Sequence, residues 1–377
     1  MARPAAAGEP SLHRWMDAAV RMALRGHGRV EPNPMVGCVV LDRHGQPAGQ
    51  GWHRRVGGPH AEVEALRAAG ERARGGTAIV TLEPCNHHGR TPPCSQALLA
   101  AGIARVVHGT RDPNPAAAGG AAALAAAGVE VVALAHAGAA ELNRPFVHRV
   151  RSGLPWVMAK WAQTIDGAIA SATGVGRWIS SPVSRAMVHR ERGRVDAILT
   201  GMGTVLADDP SLTPRGVRLR RRALRVVVDA SLSMPVECSL ARSVADGPVL
   251  VATTEAALAA QPARAAGLRG TGVEVEAFPE DGGGWPDLRE LLARLASGRG
   301  VSTVMVEAGR GLLSRLERRR LINEAWVFVG PLLMADPRAP RAADGRAPAS
   351  PAEAVRLRLM SARRRGPDAL LHYRWSE

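Results

Sequence analysis

Two successive runs of alternating strand and helix patterns, parted by a composition break near Leu142 to Pro155, constrain the fold of this chain more than any other feature. In the first run, Leu12, Met16, Ala19, Val20 and Ala23 recur at helical spacing. A β-rich segment follows at Met35–Leu41, then a turn at Asp42-Arg43-His44-Gly45 and a second strand leading to His53. His60–Ala69 reads as a helix, Thr77–Leu82 as a buried strand, and Pro93–Ala101 as a helix that prolines open and Gly102 closes. Strand Arg105–His108, helix Ala121–Ala127 and strand Val129–Ala133 complete the run. The second run has strands expected at Trp156–Trp161, Val195–Leu199, Leu224–Val228, Val249–Ala252, Val273–Ala277, Thr303–Val306 and Ala325–Val329. Helices are expected between several of them, at Pro182–Arg192, Leu288–Ala296 and Leu312–Arg319. Such alternation builds a mostly parallel sheet covered by helices. The expectation is two α/β domains, over residues 10–148 and 153–377, which 377 residues accommodate. The tail after Pro337 is rich in Ala, Arg and Pro, weakly patterned, and receives no element.

Composition narrows the functional classes. No stretch approaches the ~20 apolar residues that cross a bilayer, and Met1–Pro10 lacks the apolar core of a secretory signal. Four Cys in such a length do not make a disulfide scaffold. A reducing, cytoplasmic setting is expected, where a Cys pair points to metal or catalysis. The net charge of +15 invites a nucleic-acid partner. Yet Lys160 is the only lysine among 49 basic residues, so the excess is arginine spread along the whole chain. Nucleic-acid binders gather charge on one face and stack bases on aromatics, and aromatics are 3% here.

His60-Ala61-Glu62, Glu83-Pro84-Cys85 and Cys94 form the strongest chemical signal. One imidazole and two thiolates suit tetrahedral Zn²⁺ and leave a fourth position for water. Glu62, two residues after the histidine at a helix start, would lie beside the metal without binding it. A carboxylate there can take a proton from the attacking water and deliver it to a leaving amine, the division of labour in zinc deaminases. Eight residues separate the cysteines instead of the two of that signature, and His87 and His88 within the insert are rival ligands.

The motifs together are specific. Pro32-Asn33-Pro34-Met35-Val36-Gly37, His60-Ala61-Glu62, Thr81 through Cys85, Thr91-Pro92-Pro93-Cys94 and Asp112-Pro113-Asn114-Pro115 resemble the bifunctional riboflavin-biosynthesis deaminase–reductase family. The second half resembles it too, in Lys160, Thr164-Ile165-Asp166-Gly167, Arg177-Trp178-Ile179, Gly203 through Pro210 and Val306-Glu307-Ala308-Gly309. The long Cys85–Cys94 insert is itself a family trait.

The resemblance implies a cytidine-deaminase-like three-layer domain followed by a dihydrofolate-reductase-like domain. The first would use Zn²⁺ to remove the 2-amino group of a diaminopyrimidinone ribosyl phosphate. The second would use NADPH to reduce the ribosyl group to ribityl. No nucleic-acid or membrane partner is expected, and a homo-oligomer is.

Asn33, its amide stiffened between two prolines, and Arg90, where the family often has Lys, are candidate substrate contacts; His53 and His88 are weaker ones. Gly309-Arg310-Gly311 follows a strand and opens a helix, a place where backbone amides hold a pyrophosphate. By resemblance the cofactor contacts extend over Gly309, Arg310, Gly311, Leu312, Leu313, Ser314 and Arg315, with Ala162, Trp178, Thr204 and Asp208. Substrate contacts fall on Lys160, Gly176, Arg192, Leu212, Arg215 and Glu307, the two arginines as clamps on the sugar phosphate. Four positions depart from the family pattern: no Ser near Gly176, no Lys in Ala118-Gly119-Gly120, Ala230 in place of Ser, and Met334-Ala335 in place of a Gly pair. An active deaminase with a decayed reductase therefore stands as an alternative, as does a zinc deaminase acting on nucleic acid.

Overall fold

The computed structural model describes residues 3–4, 10–87, 92–174, 178–344 and 348–376. The chain divides into two compact units, Met1–Gly153 and Leu154–Glu377.

The first unit is a three-layer sandwich. Its sheet comprises β1 (Arg3–Pro4), β2 (Gly37–Leu41), β3 (Pro47–Trp52), β4 (Thr77–Val80), β5 (Arg105–His108) and β6 (Glu130–Ala133). They lie in the order β1-β6-β5-β4-β2-β3, parallel from β1 to β4 and antiparallel at β4–β2 and β2–β3. Successive side chains of a strand point to opposite faces, and β2 uses both. Val39 and Leu41 join Ile79, Val107 and Val132 beneath Leu12, Met16 and Ala19 of helix Pro10–Ala23. Cys38 and Val40 join Ala78, Val80 and Val106 beneath helices Ala61–Ala69, Cys94–Ala100 and Gly120–Ala126, which contribute Ala61, Ala65, Leu98 and Leu124. Helix Ala61–Ala69 sits hard against β3 because β3 offers it no side chain there. A Cβ on Gly51 would lie 2.5 Å from the Ala65 backbone nitrogen and 2.6 Å from the Ala61 oxygen.

The second unit is built on nine strands. In chain order these are β7 (Trp156–Gln163), β8 (Ala197–Gly201), β9 (Leu224–Val228), β10 (Val249–Thr254), β11 (Glu274–Phe278), β12 (Thr303–Val306), β13 (Glu324–Val329), β14 (Leu357–Arg365) and β15 (Asp368–Trp375). Their order is β11-β10-β9-β8-β12-β7-β13-β15-β14, parallel up to β13, with β15 and β14 antiparallel. β8, β9 and β10 are buried throughout, the continuous apolar signature of a parallel sheet covered on both faces. One face holds Leu199, Val226, Leu250 and Val304 against helices Leu288–Arg299 and Arg310–Arg318. The other holds Ile198, Val227, Val251 and Met305 against Val188 of helix Pro182–Arg192 and Leu268 of helix Pro262–Gly270.

Two parts of the chain differ from expectation. Helices Ala137–Leu142 and Arg144–Ser152 fill the stretch read as a break; Pro145 starts the second and left-handed Gly153 ends it. The weakly patterned tail carries the β14–β15 hairpin. Of its inward positions on β15, Asp368 and Arg374 are charged and only Leu370 is apolar, which hid the alternation. Asp368 accepts from the Ser181 backbone N–H at 2.8 Å and the Ser184 hydroxyl at 2.5 Å, and the Arg374 guanidinium lies 5.6 Å from the Trp156 ring centroid. A register shift between Leu359 and Ser361 breaks the period on β14.

Gly51→Ala forces helix Ala61–Ala69 away from β3. It is expected to destabilise the first unit by about 1–3 kcal/mol, read as a lower urea midpoint at unchanged slope. An unchanged midpoint would mean that the helix is not seated there.

Candidate active sites

In the first unit, His60 precedes helix Ala61–Ala69 as its N-cap, with extended backbone and no capping bond from its side chain. The imidazole is thereby free to turn toward the sulfurs. His60 Nδ1 lies 3.2 Å from Cys94 Sγ and 3.6 Å from Cys85 Sγ. Cys94 opens helix Cys94–Ala100, and its backbone N–H donates to Cys85 Sγ at 3.4 Å. The three ligand atoms lie within 4.8 Å of one another, and among the described residues no other His, Cys, Asp or Glu group converges so. With bonds of about 2.3 Å to sulfur and 2.0 Å to nitrogen, tetrahedral neighbours stand about 3.6–3.8 Å apart, so the donor set fits Zn²⁺. The hydrogen bonds from Cys94 and His60 favour the Cys85 thiolate and bring it down to about 4. Cys94 moves the other way, pushed up by the bond its thiol makes to Cys85, and His60 is raised by its bond to Cys85.

Glu62, in the first turn of the same helix, is buried, and its Oε2 has no hydrogen-bond partner among the described residues. Burial raises its carboxyl above the ordinary range, with the His60 charge opposing. His53 packs its ring edge-to-face on His60, centroids 5.4 Å apart, and anchors Nδ1 at the Pro59 carbonyl, 3.1 Å away. Its burial disfavours the charged form. Asn33 is exposed in the turn before β2, and its backbone N–H is bonded to the Val30 carbonyl. His87 is exposed and outside the ligand group. His88 and Arg90 lie outside the described residues. Sequence reasoning assigned no role to Glu83. It is buried, and its carboxylate accepts from the backbone N–H groups of Asp112, Gly119 and Ala121. A carboxylate ending an apolar strand run was the available signal.

In the second unit, candidates gather at the carboxyl ends of the central strands, beside the point where β12 returns between β8 and β7. Open α/β sheets bind ligands at such a place. Val306 of β12 pairs with Ala159 of β7, so Glu307 and Lys160 are the next residues along adjacent strands. Lys160 Nζ donates to Glu307 Oε2 at 3.3 Å. Arg192, ending helix Pro182–Arg192, grips the same carboxylate with both edges of its fork, Nε to Oε1 at 2.5 Å and Nη2 to Oε2 at 3.0 Å. Burial would raise Glu307; the Arg192 and Lys160 charges override it and hold the carboxyl at about 2. Arg192 also donates to the Thr213 carbonyl at 3.3 Å. Its fork therefore serves Glu307 and the loop, and Arg215, exposed, is the freer cation. That loop is tied further by Arg225 to the Ser211 carbonyl (3.0 Å) and by Asp209 to the Ser239 N–H (2.6 Å). Leu212 is buried there with φ 54°. His189, unremarked in the sequence, stands one turn before Arg192. Burial lowers its imidazole from the ordinary value, and the Arg192 and Arg215 charges push the same way.

Helix Arg310–Arg318 follows β12 after Glu307, Ala308 and Gly309, and Gly309 caps it without a side-chain bond. The Gly309 N–H donates to Thr204 Oγ1 at 3.1 Å, joining the turns after β12 and β8. Leu312 and Leu313 are buried in the core, and the Leu313 N–H donates to the Gly309 carbonyl at 3.3 Å, so neither side chain is available to a ligand. Ser314 is bonded to Asp344, which also pairs with Arg310 at 3.4 Å. Arg315 pairs with Asp281 at 3.4 Å, its guanidinium 4.3 Å from the Trp285 ring centroid. Ala162 lies on β7 and packs against the core, while Asp208 is exposed at the end of helix Met202–Asp208. Trp178 is exposed, with φ 86°, beneath the Arg185 guanidinium at 4.5 Å. Gly176 lies outside the described residues. The Met334-Ala335 departure is accommodated: both backbone N–H groups donate to Asp166, at 3.2 and 2.8 Å, and Ala335 itself takes φ 52°.

Comparison with known proteins agrees with both units. Residues 10–110 match the family described as the cytidine and deoxycytidylate deaminase zinc-binding region, and residues 155–371 match the RibD C-terminal domain. The riboflavin biosynthesis protein RibD of Escherichia coli (strain K12) is 39% identical over 369 residues, covering 95% of this chain and 98% of that protein. The Mycobacterium tuberculosis protein of the same name is 37% identical over 366 residues, 96% of each. Among solved structures, Acinetobacter baumannii RibD aligns with a TM-score of 0.82 at 32% identity, covering 97% of this chain and 99% of that one. A Thermotoga maritima diaminohydroxyphosphoribosylaminopyrimidine deaminase/5-amino-6-(5-phosphoribosylamino)uracil reductase aligns with a TM-score of 0.83, at the same identity and coverage.

The Glu307 cluster has a pH signature. Its folded value of about 2 lies below the ordinary 4.5. Its contribution is therefore complete above about 4.5 and lost as pH falls toward 2, on the order of 3 kcal/mol in all. The stability gap between wild type and Glu307→Gln, from urea unfolding at stepped pH, should close across that window. A gap constant from pH 6 to 2 would refute the charge pairing.

Proposed function

The chain belongs to the bifunctional deaminase–reductase family of riboflavin biosynthesis, and from that premise we propose how its own residues divide the two reactions. It removes the 2-amino group of a diaminopyrimidinone ribosyl phosphate hydrolytically, then reduces the ribosyl group to ribityl with NADPH.

His60, Cys85 and Cys94 hold the zinc ion, which when bound supplies Lewis-acid activation of water. The observation that carries this assignment is the convergence of those three donors beside a buried carboxylate with one unpartnered oxygen. Glu62 accepts the proton of the attacking water and passes it to the departing amine, which leaves as ammonia. Burial of Glu62 excludes bulk water from that transfer. Asn33 and Arg90 are assigned to the pyrimidine and its ribosyl phosphate.

NADPH, when bound, supplies hydride. The glycine-bearing start of helix Arg310–Arg318, uncapped by any side chain, supports a pyrophosphate seat made by the amides of Arg310, Gly311 and Leu312. Thr204 fixes that turn through Gly309. Ala162, Trp178, Asp208, Leu313, Ser314 and Arg315 complete the cofactor assignment. Lys160, oriented by Glu307, holds a proton at Nζ for the sugar atom that gains negative charge as hydride arrives. Arg215 carries the phosphate. Arg192 holds Glu307 and the Thr213 loop in place, and Leu212 and Gly176 lend backbone. The four free cysteines suit a reducing cytoplasm. The homo-oligomer rests on the family resemblance and is read by analytical ultracentrifugation.

A two-step assay on the diaminopyrimidinone ribosyl phosphate tests the division. Wild type should release ammonia without NADPH and form the ribityl product only with it. Reduction absent from a sample that binds NADPH would favour a decayed reductase.

Glu62→Gln should keep its zinc, by metal analysis, and lose ammonia release by at least ~10²-fold, whereas Cys85→Ser should lose the zinc. Stoichiometric zinc in Cys85→Ser would unseat the ligand assignment. Arg215→Met should slow NADPH-dependent reduction about 10- to 150-fold, the ~1.5–3 kcal/mol of a charge-assisted hydrogen bond. It should leave zinc content and ammonia release untouched. Impaired deamination with intact reduction would refute the two-site division.

A further inference from the structure

Glu83 lies two residues before Cys85, yet no part of the proposed chemistry uses it. Its bonds are unusual for a carboxylate in an apolar setting. Oε2 accepts from the Asp112 N–H at 3.3 Å, and Oε1 from the N–H groups of Gly119 and Ala121, each at 3.2 Å. The Glu83 backbone N–H donates to the Thr110 carbonyl at 2.8 Å. One side chain thus closes both ends of the segment Asp112–Gly119 and caps the start of helix Gly120–Ala126. On the other side of Cys85, the Asn86 N–H donates to the Ala117 carbonyl at 3.0 Å, within the same segment. The Asn86 side chain accepts from Ser95 Oγ at 2.7 Å, next to Cys94. Cys85 is therefore suspended between two residues that both fasten to one closed loop. Contact is tight: a Cβ on Gly120 would fall 1.8 Å from the Pro84 carbonyl oxygen.

We infer that Glu83 is a positioning residue for the metal: its carboxylate, by cinching the Asp112–Gly119 segment, holds Cys85 at ligand distance from His60 and Cys94. A neutral amide cannot replace it. Gln has one acceptor oxygen, and its NH₂ would face a backbone N–H on the other side, releasing one end of the segment. Partners behind the ligands fix ligand orientation, and their loss typically weakens metal affinity or activity 10- to 100-fold.

The inference rests on zinc binding at His60, Cys85 and Cys94, and the experiment separates the two claims. Zinc dissociation constants are measured by chelator competition on the full chain for wild type, Glu83→Gln and Leu124→Ala. Leu124→Ala removes a buried side chain from helix Gly120–Ala126 and so controls for plain destabilisation. Wild type should bind one zinc, Glu83→Gln should bind it 10- to 100-fold more weakly, and Leu124→Ala should match wild type despite a lower melting temperature. NADPH-dependent reduction of the deaminated intermediate should be equal in all three. Wild-type zinc affinity in Glu83→Gln overturns the inference, as does equal weakening in Leu124→Ala. Failure of wild type to bind zinc would instead overturn the ligand assignment. If Glu83→Gln yields too little folded protein, Glu83→Asp, which withdraws the carboxylate by one carbon, is read the same way.

Discussion

A carboxylate leaves water only if something replaces its hydration, and three buried glutamates meet that constraint in different ways. Glu307 is offset by two cations, Arg192 and Lys160, and stays ionised. Glu83 is offset by three backbone N–H groups. Glu62 keeps an oxygen without a partner among the described residues, and burial pushes its carboxyl toward the protonated form. The first two arrangements are satisfied and hold chain segments still. The third is unsatisfied, and an unsatisfied group at a metal site has proton affinity left to use. Within the first unit, the satisfied Glu83 fastens the segment that follows Asp112, next to the His60, Cys85 and Cys94 group.

The ligands His60, Cys85 and Cys94 were readable because zinc chemistry restricts the residue types and their local order. The parallel strands β8 to β10 were readable because burial on both faces leaves unbroken apolar runs. The β14–β15 hairpin was not, because Asp368 and Arg374 occupy inward positions where a pattern search looks for apolar residues. Glu83 and Glu307 were visible as letters but not as roles. The partners of Glu83 lie 29 to 38 residues downstream, and Arg192 lies 115 residues from Glu307. Such distances are closed by topology, which single-residue spacing does not encode.

The arginine excess also reads differently in three dimensions. Arg225, nearly fully buried, ties the Ser211 and Ser243 carbonyls and the Ser243 hydroxyl into one frame. Arg221 pairs with Asp196, and Arg294 bridges Glu276 and Glu290. Several arginines thus serve as scaffolding, for which the five-donor guanidinium fork is well suited.

Leu312 and Leu313 turn their side chains into the core and leave only main chain at the start of helix Arg310–Arg318. Recognition by peptide groups is indifferent to residue identity, so evolution is free to rewrite these letters provided the interior stays filled. Relatives could keep every hydrogen bond at this turn while sharing few side chains. An alanine scan would register a packing defect there and leave the peptide groups themselves untouched. Side-chain substitution is therefore silent on whatever those peptide groups contact.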